Sequence, residues 1–248
     1  MKFREKNPFE KKKSSIPVSV IDSYMRGSLR LRDSIKILRT NIQFAGIDDE
    51  IKSIVVTSTN KGEGKTTTSC NLAIAMAEAG KRTLLVEADC RHPMLGNRLK
   101  IRPKLGFVSH LYGKTSLDDI ITATELPGLF LLDAEPHISN PVEIIDSNKF
   151  TVMMAELRDK FDMVIYDTAP LGSFIEAALI AARADATIII IAPGMTDIEK
   201  VKGVLEQLKK ANARVLGAVL NGIEVERTNY HYDYYYYGNR DKKKGAKT

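Results

Sequence analysis

The chain is poor in the residues that would place it in several common classes. Its 248 residues include two cysteines, Cys70 and Cys90, too few for a disulfide framework. A reduced, cytoplasmic compartment is expected. No apolar stretch approaches the roughly 20 residues of a membrane span; the longest runs from Ala186 to Pro193. The N-terminus is polar and basic and lacks the apolar segment of a signal peptide. A basic face on the body of the chain is also missing. The formal charge of +6 sits at the ends: residues 1–13 carry six basic and two acidic groups, residues 240–248 five and one, and the rest is −2. No specific nucleic-acid partner is expected for the folded body. The basic ends could meet anionic lipid, nucleic acid or an acidic partner, or serve solubility alone.

What is present is a core. Hydrophobic residues make up 44% of the chain, enough for one large α/β domain or two small ones. Residues 52–58, 82–89, 129–134, 163–170, 186–193 and 214–222 are apolar runs rich in β-branched residues and predict buried strands. Helices are predicted between them over 64–80, 141–160, 172–183 and 196–212, and a further one over 27–44 from the spacing of Leu31, Ile35, Leu38 and Ile42. This alternation predicts a three-layer α/β fold, a mostly parallel central sheet covered by helices on both faces. Residues 1–26 read as a flexible basic arm, 27–222 as the α/β domain, and 223–248 as a tyrosine-rich, basic tail.

The most specific local pattern is TNKGEGKTT, residues 59–67, set between a strand and a helix as a phosphate-binding loop requires. Lys61, Gly62, Glu63, Gly64, Lys65, Thr66 and Thr67 are the candidate nucleotide contacts. Glycines at 62 and 64 let backbone N–H groups approach phosphate, Lys65 would reach the outer phosphates, and the Thr66 hydroxyl would face Mg²⁺. The first glycine of the usual pattern is Thr59. A phosphate site with Mg²⁺ needs carboxylates. Glu87 and Asp89 lie two apart at the end of one strand, and Asp167 ends another, at the sheet edge where ligands bind in open parallel sheets.

The tail poses a separate question. Six of the nine tyrosines, Tyr230, Tyr232, Tyr234, Tyr235, Tyr236 and Tyr237, crowd into eight residues with neither strand nor helix periodicity. They are either a sticky, unstructured segment or a set of phosphate acceptors.

Together these features resemble the bacterial tyrosine kinases, P-loop enzymes that regulate capsule and exopolysaccharide production. The Gly62–Thr67 loop matches the family's first nucleotide motif. LLVEADCR, residues 84–91, is similar to its second acidic motif, and Asp167–Pro170 to its third. The tyrosine cluster matches its C-terminus, and the likeness runs over about residues 28–240. The resemblance implies ATP and Mg²⁺ as cofactors, with Thr66, Asp89 and Asp167 at the metal and Lys65, Asp89, Arg91 and Asp167 in catalysis. The first acid of the second motif, implied as the base toward the incoming tyrosine, is Glu87 here, one methylene longer than in the family. Asn221 would contact adenine. Asp33, Lys36 and Arg39 carry the signs and spacing of the family's subunit-contact motif, although at this spacing Asp33 and Lys36 could equally pair within their own helix. The implied assembly is a homo-oligomeric ring in which one tail enters the next active site. A membrane-anchored activator would recruit it to the inner face of the plasma membrane, and a cognate tyrosine phosphatase would reverse the modification. Two other readings share the fold. One is a Min/Par-type partitioning ATPase, whose signature lysine position is Asn60 here. The other is a non-catalytic nucleotide-dependent scaffold.

Overall fold

A computed structural model describes residues 19–135 and 138–223. Ten helices and seven strands occur among them. The helices are α1 (Val20–Met25), α2 (Leu29–Ala45), α3 (Lys65–Glu78), α4 (Leu95–Leu99), α5 (Phe107–Leu111), α6 (Leu117–Ile120), α7 (Pro141–Asp146), α8 (Asn148–Lys160), α9 (Glu176–Ala181) and α10 (Ile198–Lys210). The strands are β1 (Ser53–Ser58), β2 (Thr83–Ala88), β3 (Ile121–Ala123), β4 (Leu129–Leu132), β5 (Met163–Thr168), β6 (Ala186–Ile191) and β7 (Val215–Leu220). The strands form one sheet in the order β3-β4-β2-β5-β1-β6-β7. Every pairing is parallel except β3 with β4.

The apolar runs explain the layers. Side chains alternate across a strand, so a strand covered on both sides is apolar over most of its length. In β1, Val55 faces one cluster with Tyr166, Phe107, Phe150 and Ala177, whereas Ile54 and Val56 face another with Leu72, Ile74 and Leu85. Helices α1 to α4 cover the second face; α5, α6, α8, α9 and α10 supply residues to the first. The expected three-layer fold is the one observed.

Two expectations change. The helix over 141–160 is broken at Ser147. This residue has extended backbone, donates to Ile144 O at 2.7 Å and accepts from Phe150 N at 3.2 Å, ending α7 and capping α8. The arm expected over residues 1–26 also does not extend to its C-terminal end. Ser19 caps α1 by accepting from Asp22 N and binds Glu125 at 2.7 Å, and Ile21 and Tyr24 are buried. Two such side chains contribute about 2 kcal/mol each when fully buried, enough to hold one short helix against α3.

The strand order positions the chemistry. Strands β2, β5 and β1 are neighbours, with Glu87 beside Asp167 and Val56 beside Asp167 in register. Three segments far apart in sequence therefore deliver their C-terminal ends to one edge.

Candidate active site

The loop after β1 is shaped by two glycines. Gly62 and Gly64 have φ of 89° and 95°, a region that L side chains avoid. Thr59 is not among the described residues with positive φ. A glycine is therefore not required there, and the departure from the usual pattern costs no strain. Lys65 opens α3 and is buried. Burial pushes its ammonium below the ordinary value, while Asp167, Asp89 and Glu63 act to keep it charged. Lys61 and Thr67 are exposed, and Thr66 is half-buried.

Glu63 has a different part from the one expected. Its carboxylate is fully buried and turned to the loop itself. It accepts from Asn60 N at 2.8 Å and Asn60 Nδ2 at 3.1 Å, and from the Thr196 hydroxyl. Burial works to raise its pKa, but these bonds outweigh it and hold the group below the ordinary carboxylate range. Asn221, expected at adenine, donates from its amide to Glu63 O at 2.9 Å and lies where a Cβ on Gly64 would come within 2.0 Å of it. Both side chains brace the loop. A third brace is the turn after β5, where Leu171 N donates to Ser58 O at 2.9 Å and a Cβ on Gly172 would lie 2.2 Å from Thr59 O. Gly172→Ala must displace the phosphate loop. Nucleotide affinity is expected to fall at least about tenfold, or 1.4 kcal/mol, with the far-ultraviolet circular dichroism unchanged; calorimetric titration with ATP measures it.

Asp167 is buried at the end of β5. Ser69 Oγ donates to its Oδ1 at 2.9 Å, and the Thr66 hydroxyl acts with it to favour the ionised carboxylate. Ser69 is one helical turn beyond Lys65, a position that the helical period marks but that the loop pattern does not name. Burial pushes Asp167 up to about 6 despite these bonds and Lys65. In nucleotide-free protein the folded state thus keeps this proton to higher pH than the unfolded state. Its ionisation subtracts stability as pH rises from about 4 to 6, and the loss persists above. Asp167→Asn is expected to stabilise the nucleotide-free protein at pH 8 by on the order of 3 kcal/mol, with the difference vanishing near pH 4. Denaturant titration at both pH values checks this.

Glu87 is tied into the fold by backbone N–H groups. Met94 N donates to its Oε2 at 2.6 Å and Leu95 N at 2.9 Å, and Asp89 N donates to Oε1 at 3.1 Å. Burial and then Asp167 push its pKa well above the usual range, against the N–H groups of Leu95 and Met94. The extra methylene lets the carboxylate reach the start of α4, where it satisfies N–H groups without intrahelical partners. Both oxygens are engaged, so the base role implied for Glu87 does not fit this arrangement. Asp89 is more open: only Oδ1 accepts hydrogen bonds, from Arg91 N at 3.2 Å and His92 N at 3.0 Å, among the described residues.

The Arg91 guanidinium lies 4.2 Å from the Phe174 ring centroid. It grips Glu176 through Nε at 2.8 Å and Nη2 at 2.7 Å. Neither Phe174 nor Glu176 carries a sequence signal, because 85 residues separate Glu176 from its partner. Cys70 and Cys90 are free and buried, and burial pushes both thiols up, leaving them inert.

A family model described as an AAA domain matches residues 51–220. Tyrosine-protein kinase CpsD of Streptococcus pneumoniae is 38% identical over 207 residues, 83% of this chain and 90% of that protein. Tyrosine-protein kinase YwqD of Bacillus subtilis (strain 168) is 34% identical over 84% of this chain and 87% of its own length. The chain belongs to the bacterial tyrosine kinase family. The fold of the chimerical protein CapA2B2 superposes with a TM-score of 0.79 at 30% identity, covering 84% of this chain and 92% of that one. The cell division ATPase MinD of Pyrococcus furiosus follows at 0.60 and 25%, over 68% of this chain and 71% of its own.

Asp33, Lys36 and Arg39, which resemble the family's subunit-contact motif, lie on α2. Asp33 and Lys36 are exposed, and no ion pair joins them among the described residues. Arg39 instead donates to Ala75 O at 3.0 Å, docking α2 on α3. Tyr230 to Tyr237 lie outside the described residues. No helix among the described residues is long and apolar enough to cross a membrane.

Proposed function

We propose that this chain is an ATP- and Mg²⁺-dependent protein-tyrosine kinase acting in capsule or exopolysaccharide synthesis. Its acceptors are Tyr230, Tyr232 and Tyr234–Tyr237 in the tail of a neighbouring copy. The observation that carries the reading is the meeting of buried Lys65 with Asp167 and Asp89 at the phosphate loop, in a chain of this family. Phosphoryl transfer asks the protein for positioning and charge neutralisation. Lys65 would neutralise the outer phosphates. Thr66, Asp167 and Asp89 are hard oxygen donors of the kind Mg²⁺ prefers. The described residues hold no cluster of three or more His, Cys, Asp or Glu able to cage a metal, so nucleotide phosphates would complete the set. Bound there, the ion would polarise the phosphates. With Glu87 engaged, Asp89 is the carboxylate best placed to take the tyrosine proton.

Assembly would use α2. Leu29, Ile37 and Phe44 are 74%, 55% and 65% exposed and share a helical face with Asp33, a surface suited to a second copy. Each phosphotyrosine adds about −1.5 to −2 charge, so a phosphorylated tail would be repelled by the carboxylates of the site and released. A membrane-anchored activator and a cognate tyrosine phosphatase would set the phosphorylation level.

A mixing experiment tests transfer between copies. Lys65→Met chain with its tail intact is incubated with Mg-ATP and a chain whose six tail tyrosines are Phe. Phosphate on the Lys65→Met chain is expected. ADP formation with no phosphate on either chain would point to an ATPase of the MinD type, which the structural likeness makes the second reading.

A further inference from the structure

Arg91 is held more firmly than an exposed loop arginine needs to be. Its guanidinium is stacked on Phe174 at 4.2 Å, and both Nε and Nη2 converge on one oxygen of Glu176. The Glu176 side chain is only 2% exposed, against 35% for Arg91. Its second oxygen is buried without a hydrogen-bond partner, so Arg91 is the group that balances this carboxylate. A buried charge with a single partner is costly to leave unpaired, and that cost keeps Arg91 in place.

The grip joins two loops that carry the acids of the site. Arg91 N and His92 N both donate to Asp89 Oδ1, so the Arg91 backbone and the Asp89 carboxylate are one unit. Phe174 and Glu176 lie in the segment that follows Asp167 at the end of β5. The ion pair therefore ties the turn holding Asp89 to the stretch beyond Asp167. We infer that Glu176 is a positioning residue for phosphoryl transfer, locking Arg91 and, through the Arg91 turn, the Asp89 carboxylate. The inference rests on the kinase reading for its effect on turnover, but not for its effect on metal binding.

Glu176→Gln keeps the shape and removes the charge. Arg91→Lys keeps the charge and loses the planar fork and the ring stacking. In both variants, Mn²⁺ binding in the presence of ADP, followed by electron paramagnetic resonance, is expected to weaken roughly tenfold, with metal-free ADP affinity unchanged. Tail phosphorylation should fall in kcat by roughly tenfold with the KM for ATP unchanged. The double variant should lose no more than the worse single one, since each change breaks the same lock. Thermal unfolding, run alongside, confirms that the variants are folded at the assay temperature. Glu176→Gln with wild-type Mn²⁺ affinity and wild-type turnover overturns the inference, as do losses that add in the double variant. If wild-type protein incorporates no phosphate, the kinase reading fails, and the Mn²⁺ titration still decides whether Glu176 positions Asp89.

Discussion

Lys65→Met is expected to lower phosphate incorporation on the order of 10³-fold, about 4 kcal/mol of transition-state stabilisation. The substitution preserves length and apolar bulk, so folding should survive. What it removes is the cation whose charged form Asp167, Asp89 and Glu63 favour. ATP brings further negative charge to the same place. Without Lys65 the carboxylates and phosphates repel one another in a site that excludes much of the screening water, where such interactions are several times stronger than in bulk solvent. Nucleotide affinity should fall as well, because the buried ammonium is lost to ground state and transition state alike. Radiolabel incorporation and calorimetric ATP titration measure the two effects. Retention of a tenth or more of the wild-type rate would mean that Lys65 is not the group that meets the transferring phosphate.

Glu87→Ala is expected to destabilise the fold by roughly 4 kcal/mol, through the cavity left in a buried position and the three N–H groups that lose their acceptor, that of buried Leu95 among them. For a domain of this size that is a fall of roughly 10 °C in Tm. The argument is geometric: Met94, Leu95 and Asp89 all donate to this one carboxylate, and the first two begin α4. Glu87→Asp separates this role from a catalytic one. It restores the residue type of the resembled motif, yet its shorter side chain cannot span to Met94 and Leu95. If Glu87 is structural, Glu87→Asp lowers Tm by several degrees and does not raise turnover. If Glu87→Asp melts as wild type and turns over faster, the residue is the base and the engaged geometry is not the working one. Differential scanning calorimetry beside a rate assay decides between them.

How far the sequence carries such arguments differs between parts of the molecule. The central strands were legible because burial on both faces leaves little room for polar residues, as in Ile188–Ile190. The phosphate loop was legible because φ near +90° at Gly62 and Gly64 restricts residue type. The stretch from Arg91 to Gly128 was not. Its elements α4, α5, α6 and β3 have three to five residues each, too short for a period to show. Side-chain roles were the least legible. Glu63 and Glu87 stand out in the sequence as carboxylates within two motifs, but what each carboxylate binds depends on loops that fold back on it. Thr196 reaches Glu63 across 133 residues, and the start of α4 reaches Glu87 only after the Asp89 turn. The same holds for Glu176, which no local pattern distinguishes from any helix-opening acid.

The central claim is that this chain phosphorylates its own tyrosine cluster. Intact-mass analysis tests it most directly. Purified protein, stripped with a tyrosine phosphatase, is incubated with Mg-ATP beside a Lys65→Met control, and the products are mapped by peptide fragmentation. The account predicts stepwise phosphate additions confined to Tyr230–Tyr237 and absent from the control. ATP consumed to ADP with the protein mass unchanged, or phosphate found only outside that cluster, would contradict it.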